Sequence, residues 1–182
     1  EIGNHSHTHE YLVDESYDVI KSDIEKSISI FKNELGNNSK FFSYPFGEYS
    51  LEFKNIIKSL GFNYAFGQHS GVIDETKDFY ELPRFPINEK YGEIKRFNSL
   101  TRTLPFKYKK VYPEEKYLLQ SKNPPKVKIE FYKNIKNLKS LSCYSNEGDK
   151  WRQSDIKFEN SDTLLININE KFVGERGRVN CS

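Results

Sequence analysis

Apolar residues recur at helical spacing in the first half of the chain. Ser16 is typical of a helix N-cap, and the stripe that follows it predicts a helix to about Leu35 with these residues on one face: Ile20, Ile24, Ile28, Phe31 and Leu35. Gly36-Asn37-Asn38 predicts its end. Ser50 predicts the start of a second helix through Leu60, and Gly61 is typical of the position that follows a helix. A third helix is predicted over roughly 93–104.

Extended segments lie between these helices. Short strands are predicted at 40–44 and 63–66, and the two prolines of 82–87 favour an extended chain there. Alternation of strands with helices predicts parallel β/α wrapping, in which functional side chains gather at the carboxyl ends of the strands.

The pattern changes after Pro105. Residues 106–125 are polar, basic and interrupted by prolines, which predicts a linker. Residues 126–182 then alternate between apolar and polar positions in short runs, which predicts a small antiparallel β domain with four candidate strands: Val127–Phe131, Leu138–Cys143, Asp155–Phe158 and Thr163–Ile168. The predicted organisation is therefore an α/β domain at 1–105, a linker at 106–125 and a β domain at 126–182.

Composition narrows the possible partners. The 28 basic and 26 acidic residues nearly balance, so the charge favours neither nucleic acid nor an anionic membrane surface. No apolar run is long enough to span a bilayer, and the oligomeric state is left open. The 2 cysteines, Cys143 and Cys181, are predicted to form a disulfide in an oxidising, extracytoplasmic compartment, with two buried thiols as the alternative.

Three of the 4 histidines lie within the first nine residues, at alternate positions: His5, His7 and His9. Neutral imidazole is a common ligand of zinc. If this segment is helical, the four-residue spacing brings His5 and His9 to one side, whereas an extended segment places all three histidines on one face. A solvated terminus with incidental histidines, or a purification tag, is the alternative.

The same residues carry a family resemblance. Glu1-Ile2-Gly3-Asn4-His5-Ser6-His7-Thr8-His9 resembles the second motif of polysaccharide deacetylases, the NodB-homology or carbohydrate esterase family 4, and Phe42-Ser43-Tyr44-Pro45-Phe46-Gly47 resembles the third. The resemblance implies a distorted (β/α) barrel of the NodB-homology type. It also implies a divalent metal, most often zinc, bound by His5 and His9, with Ser6 bracing the loop and His7 as a bystander.

The implied reaction is hydrolysis of acetyl groups on an amino-sugar polysaccharide. A metal-activated water attacks the amide, and the resulting oxyanion needs hydrogen-bond donors. The resemblance implies that the Phe46 backbone N–H donates to that oxyanion. It also implies that Arg84 lies behind the catalytic base, and a structural salt bridge is the alternative role for Arg84. His69 is the candidate general acid, or else a surface-loop histidine. Tyr44 and Pro45 are expected to contact the substrate.

Three departures from the family pattern change these expectations. The Asp-Asp motif that supplies the base and the third metal ligand has no counterpart, Ser43 and Phe46 replace an arginine and a tyrosine, and no Leu-His-Asp string follows. We therefore expect an N-terminally incomplete barrel that is part of the active enzyme, and the activity of this chain by itself is left open.

Two other functions remain open from the sequence. One is a non-catalytic carbohydrate-binding protein on a deacetylase-like scaffold, in which Tyr144 and Trp151 of the β domain could stack on sugars, although packing of Trp151 in a small core is favoured. The other is an unrelated metal-dependent hydrolase that uses His5 and His7.

Overall fold

The computed structural model describes residues Glu1–Ser182 and divides into two compact units, Glu1–Pro105 and Phe106–Ser182. The first unit is mixed α/β and the second is built of β-strands. None of the helices is both long and apolar enough to cross a membrane.

The first unit is organised around a small parallel sheet. Strands β1 (Phe41–Ser43) and β2 (Tyr64–Phe66) pair in parallel, and parallel bridges add Asn4 beside Phe42 and Leu82 beside Phe66. Four chain segments thus run side by side, and each of their carboxyl ends leads into a loop. No closed barrel is formed, because the two outer segments pair along one edge only and the layer stays open. The incomplete (β/α) barrel that the family resemblance implies therefore stays a prediction.

Helix α1 (Tyr17–Leu35) follows the predicted stripe at its N-terminal end. Ile20, Ile24 and Ile28 are buried against the sheet side of the core. The stripe fails at its other end, where Leu35 is 47% exposed. Gly36 ends the helix with φ of 76°, a left-handed conformation that glycine adopts without a Cβ penalty.

Helix α2 (Leu51–Ser59) confirms its predicted start. The Ser50 side chain accepts a hydrogen bond from Phe53 N at 3.1 Å, so it caps the first turn as the sequence indicates. Phe53, Ile56 and Ile57 are buried in the same core as α1. The third helix, α3 (Ile94–Leu100), is shorter than predicted and buries no residue, so no packed face extends it towards residue 104.

An ion-pair cluster ties α2 to the segment that leads into Leu82. Lys54 Nζ lies 2.7 Å from Asp78 Oδ2 and 2.8 Å from Glu81 Oε2. Burial by itself would lower the pKa of Lys54, but its two carboxylate partners raise it above the ordinary value. Burial would likewise raise the pKa of Asp78, but the hydrogen bonds from Lys54 and from Tyr80 N, together with the positive charges of Lys54 and Lys58, outweigh it, so that this pKa is lowered.

The second unit contains two antiparallel sheets. Its strands have the following bounds: β3 Lys110–Tyr112, β4 Val127–Glu130, β5 Cys143–Ser145, β6 Arg152–Gln153, β7 Asp155–Asn160, β8 Thr163–Asn167 and β9 Val179–Cys181. The four-stranded sheet has the order β3-β4-β8-β7, and the three-stranded sheet has the order β6-β5-β9.

Two predictions for this region need correction. Residues 106–125 contain strand β3, which pairs with β4 through Val111 and Ile129, so the segment read as a linker adds a strand to the sheet. The predicted strand at Leu138–Cys143 is instead a short helical turn at Leu138–Ser140, and the strand begins at Cys143. Asn137, with φ of 65°, starts that turn and interrupts the extended chain.

The predicted disulfide is present. Cys143 and Cys181 lie directly opposite each other on β5 and β9, with their Cα atoms 4.1 Å apart. The bond therefore cross-links β5 to β9 on the buried side of the three-stranded sheet, since Cys143 is fully buried.

Candidate functional site

The histidine loop leaves the first parallel segment at Asn4. Asn4 N donates to Phe41 O and Asn4 O accepts from Ser43 N, each at 2.9 Å, so the backbone at the start of the loop is held against β1. The Asn4 side chain is buried, and its Oδ1 accepts from Ser6 N at 3.1 Å and from Ser27 Oγ at 2.7 Å. The loop is thus anchored to both β1 and α1.

The loop is neither a helix nor an extended strand. Ser6 and His9 have positive φ values of 68° and 56°, which turn the chain back on itself. The rings of His5 and His9 approach edge to face, with centroids 4.8 Å apart. The two histidines that the family resemblance assigns to a metal are therefore neighbours, and loop geometry rather than helical spacing brings them together.

Ser6 has the bracing role expected of it. His9 N donates a hydrogen bond to Ser6 Oγ at 3.0 Å, which fixes the second histidine relative to the start of the loop. This contact spans the same turn that the positive φ of Ser6 creates.

The imidazole of His5 has a defined orientation. Its Nδ1 lies 2.6 Å from the carbonyl oxygen of Ser43 at the end of β1. A carbonyl can only accept, so Nδ1 carries the proton and Nε2 presents a lone pair. Metal-binding histidines commonly show this arrangement, in which one nitrogen donates to a protein oxygen and the other is available to the metal.

The sequence analysis missed the residue that holds the middle of the loop. Asp23, on α1, accepts from His7 N at 2.9 Å and from Thr8 N at 3.0 Å, and Thr8 Oγ1 also donates to it at 2.7 Å. No motif marks Asp23, because it reads as one of several acidic residues on the polar side of a helix. His7 thus joins the loop to α1 through its backbone.

The Pro45-Phe46-Gly47 turn lies against the histidine loop. The Phe46 ring centroid is 4.9 Å from that of His9 and 5.6 Å from that of Tyr11. Phe46 has a positive φ of 56°, a conformation that places strain on a non-glycine residue and is concentrated at functional sites. Gly47 also has a positive φ, and a Cβ there would lie 2.5 Å from Gln68 Cβ.

Tyr44 and Pro45 were predicted to contact the substrate, but the structure places both of them inside the core. Both residues are buried, and the Tyr44 hydroxyl donates to Tyr80 O at 2.9 Å. Desolvation raises the pKa of Tyr44 far above its ordinary value. Tyr44 and Pro45 therefore support the turn from inside the core, and the exposed side of the turn belongs to other residues.

His69 and Arg84 lie on the loops that follow the next two parallel segments. Arg84 N donates to His69 O at 3.0 Å, and Arg84 Nε donates to Gly67 O at 2.9 Å. The Arg84 guanidinium thus binds a backbone carbonyl at the end of β2, which connects the two loops. The exposed His69 ring lies beside Tyr49, with centroids 6.5 Å apart.

The His5–His9 pair fits part of a zinc site. Both side chains are exposed, and a catalytic zinc typically has three protein ligands. No group of three or more His, Cys, Asp or Glu residues with metal-binding geometry occurs in the structure. The His5 and His9 rings therefore lie together as two possible nitrogen donors, and His7 takes no part in the ring contact that joins them.

Comparisons with known proteins bear on the same segment. The family model for polysaccharide deacetylase matches residues 1–65. No curated protein matches the chain. Among solved structures, the Streptococcus pyogenes deacetylase PplD in complex with acetate is similar with a TM-score of 0.52 and 19% identity, over 56% of this chain and 44% of that one.

IcaB from Ammonifex degensii is also similar, with a TM-score of 0.49 and 16% identity over 57% of this chain and 47% of that one. The chain thus spans less than half the length of each of these two solved structures. At this identity the likeness to PplD concerns the fold. The resemblance to the polysaccharide deacetylase family is confirmed by the family model over residues 1–65.

Proposed function

We propose that this chain is part of a metal-dependent deacetylase that removes acetyl groups from an amino-sugar polysaccharide. The observation that carries the proposal is the His5–His9 pair, oriented by Ser43 O and Ser6 Oγ, within the segment matched by the deacetylase family model. The disulfide supports an extracytoplasmic location, because such bonds persist in oxidising compartments.

His5 and His9 would hold the metal, which we expect to be zinc. A bound zinc supplies a water of lowered pKa and polarises the amide carbonyl. The hydrogen bond from His5 Nδ1 to Ser43 O sets the tautomer that leaves Nε2 available and limits rotation of the ring. The remaining ligand and the catalytic base are expected from residues outside this pair.

The surrounding residues have distinct proposed roles. The Phe46 backbone N–H would donate to the developing oxyanion, and the left-handed conformation of Phe46 directs the turn towards the His9 side of the loop. His69 would deliver a proton to the leaving amine. Arg84 would act as a positioning residue, because its backbone N–H binds His69 O and its guanidinium binds Gly67 O.

Zinc binding after exhaustive dialysis tests the proposal. The wild-type chain should retain or rebind zinc, His5→Ala and His9→Ala should each lose it, and His7→Ala should keep it. Loss of zinc in His7→Ala equal to that in His9→Ala would contradict the pairing seen in the structure. Acetate release from β-1,4- and β-1,6-linked N-acetylglucosamine oligomers, measured on the longest available form of the protein, then tests the reaction itself.

A further inference from the structure

The outward face of the three-stranded sheet carries two exposed aromatic residues. Tyr144 lies opposite Gln153 on β6 and opposite Asn180 on β9, so these three side chains share one face. Trp151 lies immediately before β6 and two positions before Gln153, so continuation of the strand's alternation would place it on the same face. Within the whole chain Tyr144 is 43% exposed and Trp151 is 52% exposed, contrary to the expectation that Trp151 packs in a core.

The opposite face of this sheet is closed and rigid. Ser145 is fully buried, and its Oγ lies 2.9 Å from Ser154 Oγ. The Cys143–Cys181 disulfide joins β5 to β9 on that same side. These contacts hold β5, which presents Tyr144, against its neighbouring strands, and such pre-organisation reduces the entropy lost on binding.

The polar side chains around the aromatic residues are suited to hydroxyl and amide groups. Gln153, Asn180 and Arg178 are exposed on or beside this face, and their side chains form no hydrogen bond or ion pair within the protein. Planar amides both donate and accept. Aromatic rings flanked by such groups match a sugar ring, whose C–H face stacks on the aromatic plane while its hydroxyls bind the amides.

Charge favours one form of polysaccharide over another. Residues 106–182 contain 16 Lys and Arg against 10 Asp and Glu, so this unit is positively charged. Removal of an acetyl group turns a neutral amide into an ammonium, which this unit would repel. The neutral, acetylated polymer should therefore bind more tightly than its deacetylated, cationic form.

We propose that this face, defined by Tyr144, Trp151, Gln153 and Asn180, is a binding site for neutral N-acetylated amino-sugar polysaccharide. It would retain the unreacted polymer on the same chain as the histidine loop and release segments that have been deacetylated. The choice of polymer rests on the proposed function of residues 1–65, whereas the stacking face itself does not depend on the histidine loop.

Tryptophan fluorescence tests the site directly, because Trp151 is the single tryptophan of the chain. Hexamers of N-acetylglucosamine with β-1,4 and with β-1,6 linkages, and their fully deacetylated forms, would be titrated while emission and acrylamide quenching are recorded. We expect at least one acetylated hexamer to shift the emission and protect Trp151 from acrylamide. Each deacetylated hexamer should bind at least tenfold more weakly.

Matched variants make the test specific. Tyr144→Ala retains the reporter and should weaken binding about tenfold, as expected for loss of one stacking ring. Tyr132→Ala removes a tyrosine that is 42% exposed in the same unit but outside this face, and it should bind like wild type. Near-UV circular dichroism checks that both variants keep their folded structure.

Three results would overturn the proposal: no change in Trp151 emission with either acetylated hexamer, equal weakening by Tyr132→Ala and Tyr144→Ala, or equal affinity for acetylated and deacetylated forms. His5→Ala should leave the fluorescence response intact while it removes zinc binding. Failure of the deacetylase proposal would therefore appear in the zinc and acetate measurements, and failure of the sugar site would appear in the fluorescence.

Discussion

Asp23 should control the affinity of the histidine loop for zinc although it touches neither proposed ligand. Its carboxylate accepts three hydrogen bonds, from His7 N, Thr8 N and Thr8 Oγ1, at 2.9, 3.0 and 2.7 Å. These contacts lie between His5 and His9 in the chain. Removal of the carboxylate therefore frees the part of the loop that keeps the two rings together.

The expected magnitude follows from these contacts. Hydrogen bonds contribute about 0.5–1.5 kcal/mol each, so loss of all three in Asp23→Ala should reduce the stability of the ordered loop by about 1.5–4.5 kcal/mol. Since about 1.4 kcal/mol corresponds to a tenfold change, the lower part of this range predicts a fall in zinc affinity of roughly 10- to 100-fold, the range found for partners that orient metal ligands. Asp23→Asn keeps one acceptor oxygen and should have an intermediate affinity.

Competition with a chromogenic zinc chelator measures the affinity of each variant. Glu25→Ala is the matched control, because it removes the same charge from α1 at a residue that pairs with Lys21, 3.9 Å away, and not with the histidine loop. Alanine favours the helix in both variants, so neither should lose helical circular dichroism. A dissociation constant for Asp23→Ala within twofold of wild type, or equal to that of Glu25→Ala, would refute the reasoning.

Three further predictions concern stability and are measured by urea unfolding. Gly47→Ala should destabilise by at least about 2 kcal/mol, because its φ is 76° and the new Cβ would lie 2.5 Å from a side chain, whereas Gly36→Ala, with the same φ and open space, should lose only about 1 kcal/mol; equal losses would exclude the packing argument. Replacing Cys143 and Cys181 by serine removes a bond that spans 38 residues and should destabilise the second unit by about 4 kcal/mol, monitored by tryptophan emission; an unchanged midpoint would contradict this. Lys54→Met should be destabilised at pH 7, and its deficit relative to wild type should shrink as acid protonates the carboxylate partner whose pKa is lowered in the folded state; a deficit that grew in acid would show the opposite linkage.

Local sequence signals predicted the parts of the fold that depend on neighbours along the chain. The start of α2 follows from Ser50, because its side chain accepts a hydrogen bond from an N–H group of the first turn. The end of α1 follows from Gly36, because glycine readily adopts the left-handed conformation that ends a helix. The disulfide between Cys143 and Cys181 was also predictable, since the chain has 2 cysteines.

The sequence also carried the family resemblance of the N-terminal segment. The His5-Ser6-His7-Thr8-His9 string and the Tyr44-Pro45-Phe46-Gly47 turn indicated similarity to polysaccharide deacetylases, and the family model confirms this resemblance over residues 1–65. Both motifs are short and continuous, so their residue types could be recognised without knowledge of the fold.

Tertiary structure alone decided how those motifs are arranged. The His5–His9 contact depends on left-handed residues in the loop and on Asp23, which belongs to a helix more than a dozen residues away. Tyr44 is buried and Trp151 is exposed because packing between distant segments determines which side of each segment faces the core. Tyrosine and tryptophan occur both in cores and at surfaces, so their residue types do not decide between burial and exposure. Such choices depend on partners distant in sequence, so the local pattern cannot contain them.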